Sequence, residues 1–281
     1  MTLYVATHRY LLKMAEHGTT ILGSDGSYRC LAYIKATEEL AAACQEDFAT
    51  NIDLRGEMVL PTMLVFKGDR LTGRNTQEDL EGVHQSAYDE ETQSRYICHS
   101  ARNQIVIHCF ETLSSDVINI GKEREDVNHI NSIQVVDGKL WILLHNGGTP
   151  DPSTIVQLDP KTHDVLQTVG LPLQGAHDLH IDGDYVYVNA SEQGELMRVN
   201  IKTKEVDKLL VLGGHVKGMC RLNKDILIVG SSADTKYHED RQTCYADLVY
   251  VKVPEMIVVQ RNVLLVGNRS SGQINEIIQI N

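Results

Sequence analysis

The stretch HINSIQVVDGKLWILLH, residues 129–145, predicts a β-hairpin. Apolar and polar residues alternate over 129–136, and an apolar run follows over 140–145. A repeat of two residues is typical of strands, whereas a helix would show a repeat of 3.6. Between the two runs, Asp137-Gly138 supplies residues that accept the positive φ of a tight turn. Two further strand-like segments follow at 153–159 and 164–169. Four short strands in succession are typical of one blade of a β-propeller.

The same pattern recurs along the chain, and a histidine opens each copy. The copies begin at His84, His129, His177 and His215, with separations of 45, 48 and 38 residues. Repeats of roughly this length indicate propeller blades.

Two less regular blades complete the set. One opens with Cys30–Ile34 and continues at 40–44, and its outer strands are expected within 52–71. The other joins the last segment, 274–280, to the first segments of the chain, which lie at 3–7, 10–15 and 19–22. The sequence therefore predicts an all-β, six-bladed β-propeller, a single domain over residues 1–281. Both chain ends share one blade in it, which removes a free sheet edge.

The segment Thr154–Val169 resembles the repeats of YVTN-type and NHL-type propellers. The resemblance concerns architecture and implies no particular chemistry, because one fold hosts many functions.

One position of each inner strand of a propeller faces the central axis, and we expect six polar residues there. They are Arg29, His84, His129, His177, His215 and Gln273. Imidazoles that converge on one point are good ligands for transition metals, and neutral ligands leave the ion its full charge. We therefore predict a divalent transition metal (Zn, Fe, Mn or Ni) held by the four histidines, with Gln273 as a weaker oxygen ligand. The alternative is that these polar side chains merely line a solvated channel.

Four further residues are candidate catalytic groups. Arg29 is always protonated, so it would hold a carboxylate or a developing oxyanion rather than the metal. His145 ends a second strand at the same mouth and could orient a ligand. Tyr237 and His238 lie in the long segment 231–246, which is either a lid or an ordinary surface loop. The segment 45–61 is a second candidate lid.

The bulk composition excludes several classes of partner. A net charge of −12 disfavours nucleic acid and anionic membranes, which both attract basic surfaces. No apolar run of about 18 residues is present, so no membrane span is expected. The six cysteines form no CxxC pair, which favours a reduced, cytoplasmic protein. Motifs for nucleotide binding and serine hydrolysis are missing, so neither chemistry is expected. The expected partner is a small-molecule substrate of the metal site.

The placement of histidines on the axis resembles that of peptidyl-hydroxyglycine lyases, which are six-bladed and hold zinc near an arginine and a tyrosine. That resemblance implies a metal-dependent enzyme with lyase-type Lewis-acid chemistry on a small polar or anionic substrate. Carotenoid-cleaving oxygenases hold iron through four histidines, which implies an Fe(II)-dependent oxygenase as the second hypothesis. A binding propeller without catalysis, in which the ion is structural, is the third.

Overall fold

The computed structural model describes residues 1–24, 26–46, 62–76, 80, 82–112, 114–120, 127–146, 149–235 and 238–280. Within these residues the chain forms two compact units, one of Met1–Glu81 with Leu212–Asn281 and one of Gly82–Val211. Each unit contains three four-stranded antiparallel sheets. These are the blades of a six-bladed β-propeller, so the predicted fold class is confirmed.

Unit 2, Gly82–Val211, holds blades 3, 4 and 5. Blade 3 comprises β8 (Val83–Asp89), β9 (Ser94–His99), β10 (Gln104–Cys109) and β11 (Ser114–Asn119). Blade 4 comprises β12 (Ile130–Val136), β13 (Lys139–Leu144), β14 (Thr154–Leu158) and β15 (Val165–Gly170). Blade 5 comprises β16 (Ala176–Asp182), β17 (Tyr185–Ala190), β18 (Glu195–Asn200) and β19 (Val206–Val211).

Unit 1 holds blades 1, 2 and 6, and the order of strands in blade 1 is β26-β1-β2-β3. Blade 1 comprises β1 (Thr2–Thr7), β2 (Tyr10–Ala15), β3 (Gly18–Ser24) and β26 (Ile274–Ile280). Blade 2 comprises β4 (Gly26–Ile34), β5 (Glu39–Glu46), β6 (Thr62–Lys67) and β7 (Arg70–Thr76). Blade 6 comprises β20 (His215–Asn223), β21 (Ile226–Ser232), β22 (Ala246–Lys252) and β23 (Ile257–Val263). A short hairpin, β24 (Leu265–Val266) with β25 (Arg269–Ser270), precedes β26.

The pairing of β26 with β1 confirms the predicted closure of one blade by both ends of the chain. The register is antiparallel and places Thr2 opposite Ile280. Because β26 covers the edge of β1, this blade has the same four strands as its neighbours. No helix in the described part of the chain is long and apolar enough to cross a membrane.

The hydrophobic core lies between adjacent blades. Strand β13 of blade 4, Lys139–Leu144, is apolar at nearly every position because both of its faces are buried. Trp141 and Leu143 pack toward blade 5, whereas Leu140 and Ile142 pack toward blade 3. A strand covered on both faces reads as a continuous apolar run. The hairpin before it turns at Asp137 and Gly138, whose φ values of 51° and 67° fit the predicted tight turn.

The inner strand of each blade carries a β-bulge. We use the name inner strand for the strand that contacts the corresponding strand of the next blade in its unit. Within unit 2, β12 contacts β8 and β16, and within unit 1, β26 contacts β20 and β4. Two inner-strand residues oppose one partner residue at each bulge, as at Asn131 in blade 4 and Asp178 in blade 5.

Side-chain donors near the bulges join adjacent blades. In blade 4 the Asn131 amide donates to the carbonyl of Ala176 in blade 5. In blade 1 the Asn275 amide donates to the equivalent carbonyl, that of Tyr28 in blade 2, at 2.9 Å. Blade 3 makes the corresponding bond from a hydroxyl, because Ser100 donates to the carbonyl of Ile130 at 2.6 Å.

Candidate functional site

The strand register places the four predicted histidines at two positions rather than one. In every blade, the residue five places beyond the start of the second strand pairs with an anchor residue on the inner strand; the anchors are Tyr28, Val83, Ile130, Ala176, Val216 and Ile274. His129 and His215 immediately precede their anchors, whereas His84 and His177 immediately follow theirs. The prediction of one shared position is therefore wrong by two residues for half of the set, because the bulges break the simple alternation of the strand.

The two positions can be named from this register. The entry position, just before the anchor, holds Ser27, Gly82, His129, Gly175, His215 and Gln273. The bulge position, just after the anchor, holds Arg29, His84, Asn131, His177, Lys217 and Asn275.

Unit 2 brings four imidazoles into one continuous cluster. The ring centroids of His84 and His129 are 4.7 Å apart, those of His129 and His145 are 5.1 Å apart, and those of His145 and His177 are 4.9 Å apart. The three contacts are edge to face. We call His84, His129, His145 and His177 the imidazole cluster. It includes three of the predicted ligands, together with His145.

A hydrogen bond fixes the protonation of one imidazole in the cluster. Nδ1 of His177 lies 3.2 Å from the carbonyl oxygen of Gly175. A carbonyl only accepts, so Nδ1 carries the proton in the neutral ring and Nε2 carries the lone pair. A metal ligand held by a backbone carbonyl through its other nitrogen has this arrangement.

The side chains of His145 and Glu192 both lie close to Gly175, in the space that a larger side chain at that position would need. A Cβ on Gly175 would lie 3.5 Å from Nε2 of His145 and 3.6 Å from Oε1 of Glu192. The φ of Gly175 is +72°, a conformation that glycine adopts without strain. Glu192 is a site residue that the sequence analysis missed, since it lies in the turn between β17 and β18 and not on an inner strand.

A buried carboxylate ties the two bulges of the cluster together. Asp178, next to His177, is 2% exposed and accepts a short hydrogen bond from the amide of Gln85, next to His84. It also accepts from Nδ2 of Asn189 at 3.4 Å. Blades 3 and 5 are not neighbours, because blade 4 lies between them. The bond from Gln85 to Asp178 therefore brings the inner strands of all three blades of unit 2 to one place.

The donor types of the imidazole cluster fit a transition metal, but the rings are not yet arranged as ligands. Two imidazoles on one tetrahedral zinc ion have ring centres about 5 Å apart, since each Zn–N bond is about 2 Å. The three measured spacings agree with that value. Among the described residues, however, no three His, Cys, Asp or Glu side chains already surround one point as ligands do. Binding would require the rings to rotate from edge-to-face packing toward a common centre.

The remaining predicted residues lie in unit 1. Arg29 occupies the bulge position of blade 2, Gln273 the entry position of blade 1 and His215 the entry position of blade 6. His238 begins a 3-10 turn, His238–Gln242, and its side chain is outside the described part of the structure. Tyr237 and the segment 47–61 also lie outside the described residues.

Arg29 sits in a polar group of unit 1. Its Nη2 donates to Oγ of Ser27 at 3.5 Å, and the same hydroxyl lies 3.3 Å from Nδ1 of His8. Burial, with a smaller effect of the Arg241 guanidinium, lowers the pKa of Arg29 to about 10 against the opposing effects of Cys30 and Glu276. Arg29 thus remains a cation at neutral pH, and it shares its surroundings with a second cation.

Comparisons with known proteins agree on the architecture. No family model matches the chain, and no curated protein matches it. Among solved structures, the chain is similar to one titled a nidogen/laminin complex, with a TM-score of 0.68, 12% identity, and coverage of 98% of this chain and 97% of that one. It is also similar to a protein of unknown function from Bacteroides caccae, with a TM-score of 0.66, 14% identity, and coverage of 98% and 97%. At such identities the likeness shows the fold alone.

Proposed function

We propose that the imidazole cluster binds a divalent transition metal and that the protein is a metal-dependent enzyme of lyase type acting on a small polar or anionic substrate. The observation that carries this proposal is the contact of four imidazoles, contributed by three blades, with centroid spacings of 4.7 to 5.1 Å. Imidazole suits Zn, Fe and Ni better than it suits Mg or Ca, so a transition metal is the expected ion. Bound there, the ion would act as a Lewis acid toward a carbonyl or hydroxyl oxygen.

The cluster residues have separable roles in this proposal. His177 offers Nε2 as a ligand because its Nδ1 is held by the carbonyl of Gly175. His84 and His129 are the other two ligands, since their rings are in direct contact. His145 contacts both His129 and His177 and approaches Glu192 at Gly175, which suits it to move a proton. Asp178 and Gln85 position the two bulges and hold no reacting atom.

Metal binding is tested by loading the purified protein with Zn(II) or Co(II) and measuring bound metal after removal of excess. We expect about one ion per chain, as well as the strong visible absorption of tetrahedral Co(II). Removal of a ligand histidine typically weakens a metal site by a large factor, so His84→Ala and His177→Ala should each lose most of the bound metal. His108→Ala is the matched control, because His108 is a half-buried histidine of β10 whose Nδ1 lies 2.9 Å from Oγ of Ser115 and which is not part of the imidazole cluster.

The result that would overturn the site is metal content in His84→Ala and His177→Ala equal to that of the parent, with circular dichroism showing all variants folded. The reaction class has its own readout. A lyase acting on carboxylated substrates forms a conjugated double bond that absorbs in the ultraviolet. Oxygen consumption by the iron-loaded protein without such absorption would contradict the lyase and favour the oxygenase.

A further inference from the structure

The turn between β17 and β18 brings a carboxylate to the imidazole cluster. This turn follows Ala190, which pairs with the anchor residue Ala176, so it lies beside the entry position of blade 5. A Cβ on Gly175, at that entry position, would lie 3.6 Å from Oε1 of Glu192 and 3.5 Å from Nε2 of His145. One carboxylate oxygen and one imidazole nitrogen therefore border the same space within unit 2.

Gly175 leaves a gap at this point of the cluster. The equivalent entry position of blade 4 holds His129, so blade 5 lacks the imidazole that its neighbour carries there. The φ of +72° at Gly175 strains any other residue, and a side chain there would contact both His145 and Glu192. The gap is open to a ligand that approaches the cluster between these two side chains.

The carboxylate of Glu192 is available to such a ligand. Glu192 is exposed, and no hydrogen bond or ion pair reaches its carboxylate from the described residues. Asp178, beside His177, is by contrast held by the side-chain amides of Gln85 and Asn189. An ionised carboxylate only accepts hydrogen bonds, so a ligand that binds Glu192 must supply a donor.

Charge decides which donor fits. The ion of the proposed function keeps its full charge of +2 among neutral imidazoles, so it would repel a ligand ammonium beside it. Glu192 would repel a ligand carboxylate in the gap in the same way. A neutral hydroxyl meets neither repulsion, and its hydrogen bond to an ionised acceptor is stronger than one between neutral groups.

We infer that Glu192 is a specificity-determining residue for a neutral substrate with two adjacent hydroxyl groups. One hydroxyl binds the metal, and the other donates to the Glu192 carboxylate. Nε2 of His145 borders the same gap, which keeps the proton-moving imidazole next to the substrate. This inference rests on the proposed function, since it requires the metal, and it narrows the small polar or anionic substrate to a polyol.

Four small molecules with a common CH3–CH(OH) group test the inference. To that group 1,2-propanediol adds a second hydroxyl, 2-propanol a methyl, lactate a carboxylate and 1-amino-2-propanol an ammonium. Each is titrated into the Co(II)-loaded protein, and binding is followed by the visible absorption of the ion. We expect 1,2-propanediol to bind about threefold or more tighter than 2-propanol, the gain typical of one hydrogen bond. It should also bind more tightly than 1-amino-2-propanol.

Two substitutions of Glu192 separate its acceptor from its charge. Glu192→Leu removes the acceptor, so the affinity for 1,2-propanediol should fall to that for 2-propanol. Glu192→Gln removes the charge, so lactate should bind more tightly than it does to the parent. Glu205→Leu and Glu205→Gln are the matched controls and should leave both affinities unchanged, because Glu205 is an exposed carboxylate in the turn between β18 and β19 of the same blade.

Each contrary result has a distinct meaning. Equal binding of 1,2-propanediol and 2-propanol by the Co(II)-loaded parent, or unchanged diol binding in Glu192→Leu, overturns this assignment and leaves the metal site in place. Tighter binding of 1-amino-2-propanol than of the diol overturns the neutral class of substrate. Loss of Co(II) from Glu192→Leu would make Glu192 a metal ligand and overturn its role in specificity. A parent that binds no Co(II) overturns the proposed function and this assignment with it.

Discussion

At the scale of single residues, Gly230 is the clearest example of a backbone contact that dictates a side chain. It lies opposite the bulge at Lys217 and Gly218 on the inner strand of blade 6. A Cβ there would lie 2.2 Å from the carbonyl oxygen of Lys217 and 2.8 Å from a methyl of Ile274. Neither atom is the flexible end of a long side chain, so the strands would have to separate.

We therefore predict that Gly230→Ala lowers the free energy of unfolding by about 1–3 kcal/mol, the usual cost of overpacking. Urea unfolding measures it. Gly73→Ala is the matched control on β7, because the nearest atom to its added Cβ, in Val65, would be 3.6 Å away. That variant should be neutral or slightly more stable, since alanine restricts the unfolded chain. Equal losses in the two variants would contradict the argument.

The residues of the imidazole cluster show which part of a site the sequence can predict. The recurrence of His84, His129 and His177 was legible from spacing, and His145 from its place at the end of a second strand. The two-residue offset between entry and bulge positions was not, because it depends on which residues of the inner and second strands pair, and the spacing of the histidines does not reveal that register. Asp178 and Glu192 were missed since each acquires its role only through a contact across blades or across a glycine.

At the scale of elements, the turn between β14 and β15 depends on one carboxylate. Asp159 accepts hydrogen bonds from Nζ of Lys139 at 2.5 Å and from the amides of Lys161 and Thr162. These bonds, that from Lys139 first, lower the pKa of Asp159 to about 2. A carboxylate whose pKa falls on folding stabilises the native state above its unfolded pKa of about 3.9, and this contribution disappears as the pH falls through 2.

Asp159→Asn should therefore be less stable than the parent at pH 7, with the difference shrinking between pH 4 and pH 2. Urea midpoints across that range measure it. In a Lys139→Met background the difference at pH 7 should be smaller, since the largest cause of the pKa shift has been removed. A difference that stays constant with pH would show that Asp159 acts through its shape and not through its charge.

Strand boundaries could be predicted where a clear turn motif and a clear hydrophobic pattern mark them. The hairpin of blade 4 follows directly from Asp137-Gly138 and from the two-sided burial of β13. The outer strands of blade 2 were expected within 52–71; β6 lies inside that range, whereas β7 extends beyond it to Thr76, because the sequence there shows no clear alternation. The short hairpin of β24 and β25 was not foreseen, since two-residue strands have no periodicity.

At the scale of the whole molecule, closure rests on strand pairing between the chain ends. Thr2 pairs with Ile280 in an antiparallel register, so the two ends could be joined by a short turn. We predict that a circular permutant with Asn281 linked to Met1 through Asn-Gly, and new ends between Lys202 and Thr203, keeps the fold. Both new ends lie in an exposed turn between β18 and β19, where chain breaks are tolerated.

The permutant should give the parent circular dichroism spectrum and a thermal midpoint within about 8 °C, the shift expected for a change of about 1–2 kcal/mol in a domain of this size. Deletion of 274–281 is the contrasting variant. It uncovers the edge of β1 and should yield aggregated protein in size-exclusion chromatography. A deletion variant with the elution volume and the stability of the parent would show that β26 contributes little to closure.

The hydrogen bond made by Ser100 affects which residues of the imidazole cluster can be substituted during evolution. The Ser100 hydroxyl makes the bond to the Ile130 carbonyl that an asparagine makes in blades 1 and 4. Blade 3 therefore makes this hydrogen bond to blade 4 from Ser100, and the side chain at its bulge position, His84, is not the donor. A substitution at position 84 would leave the hydrogen bond between Ser100 and the Ile130 carbonyl in place. A bulge position whose hydrogen bond to the next blade is made by a neighbouring serine can therefore change its side chain, and acquire a different ligand, while that hydrogen bond is kept.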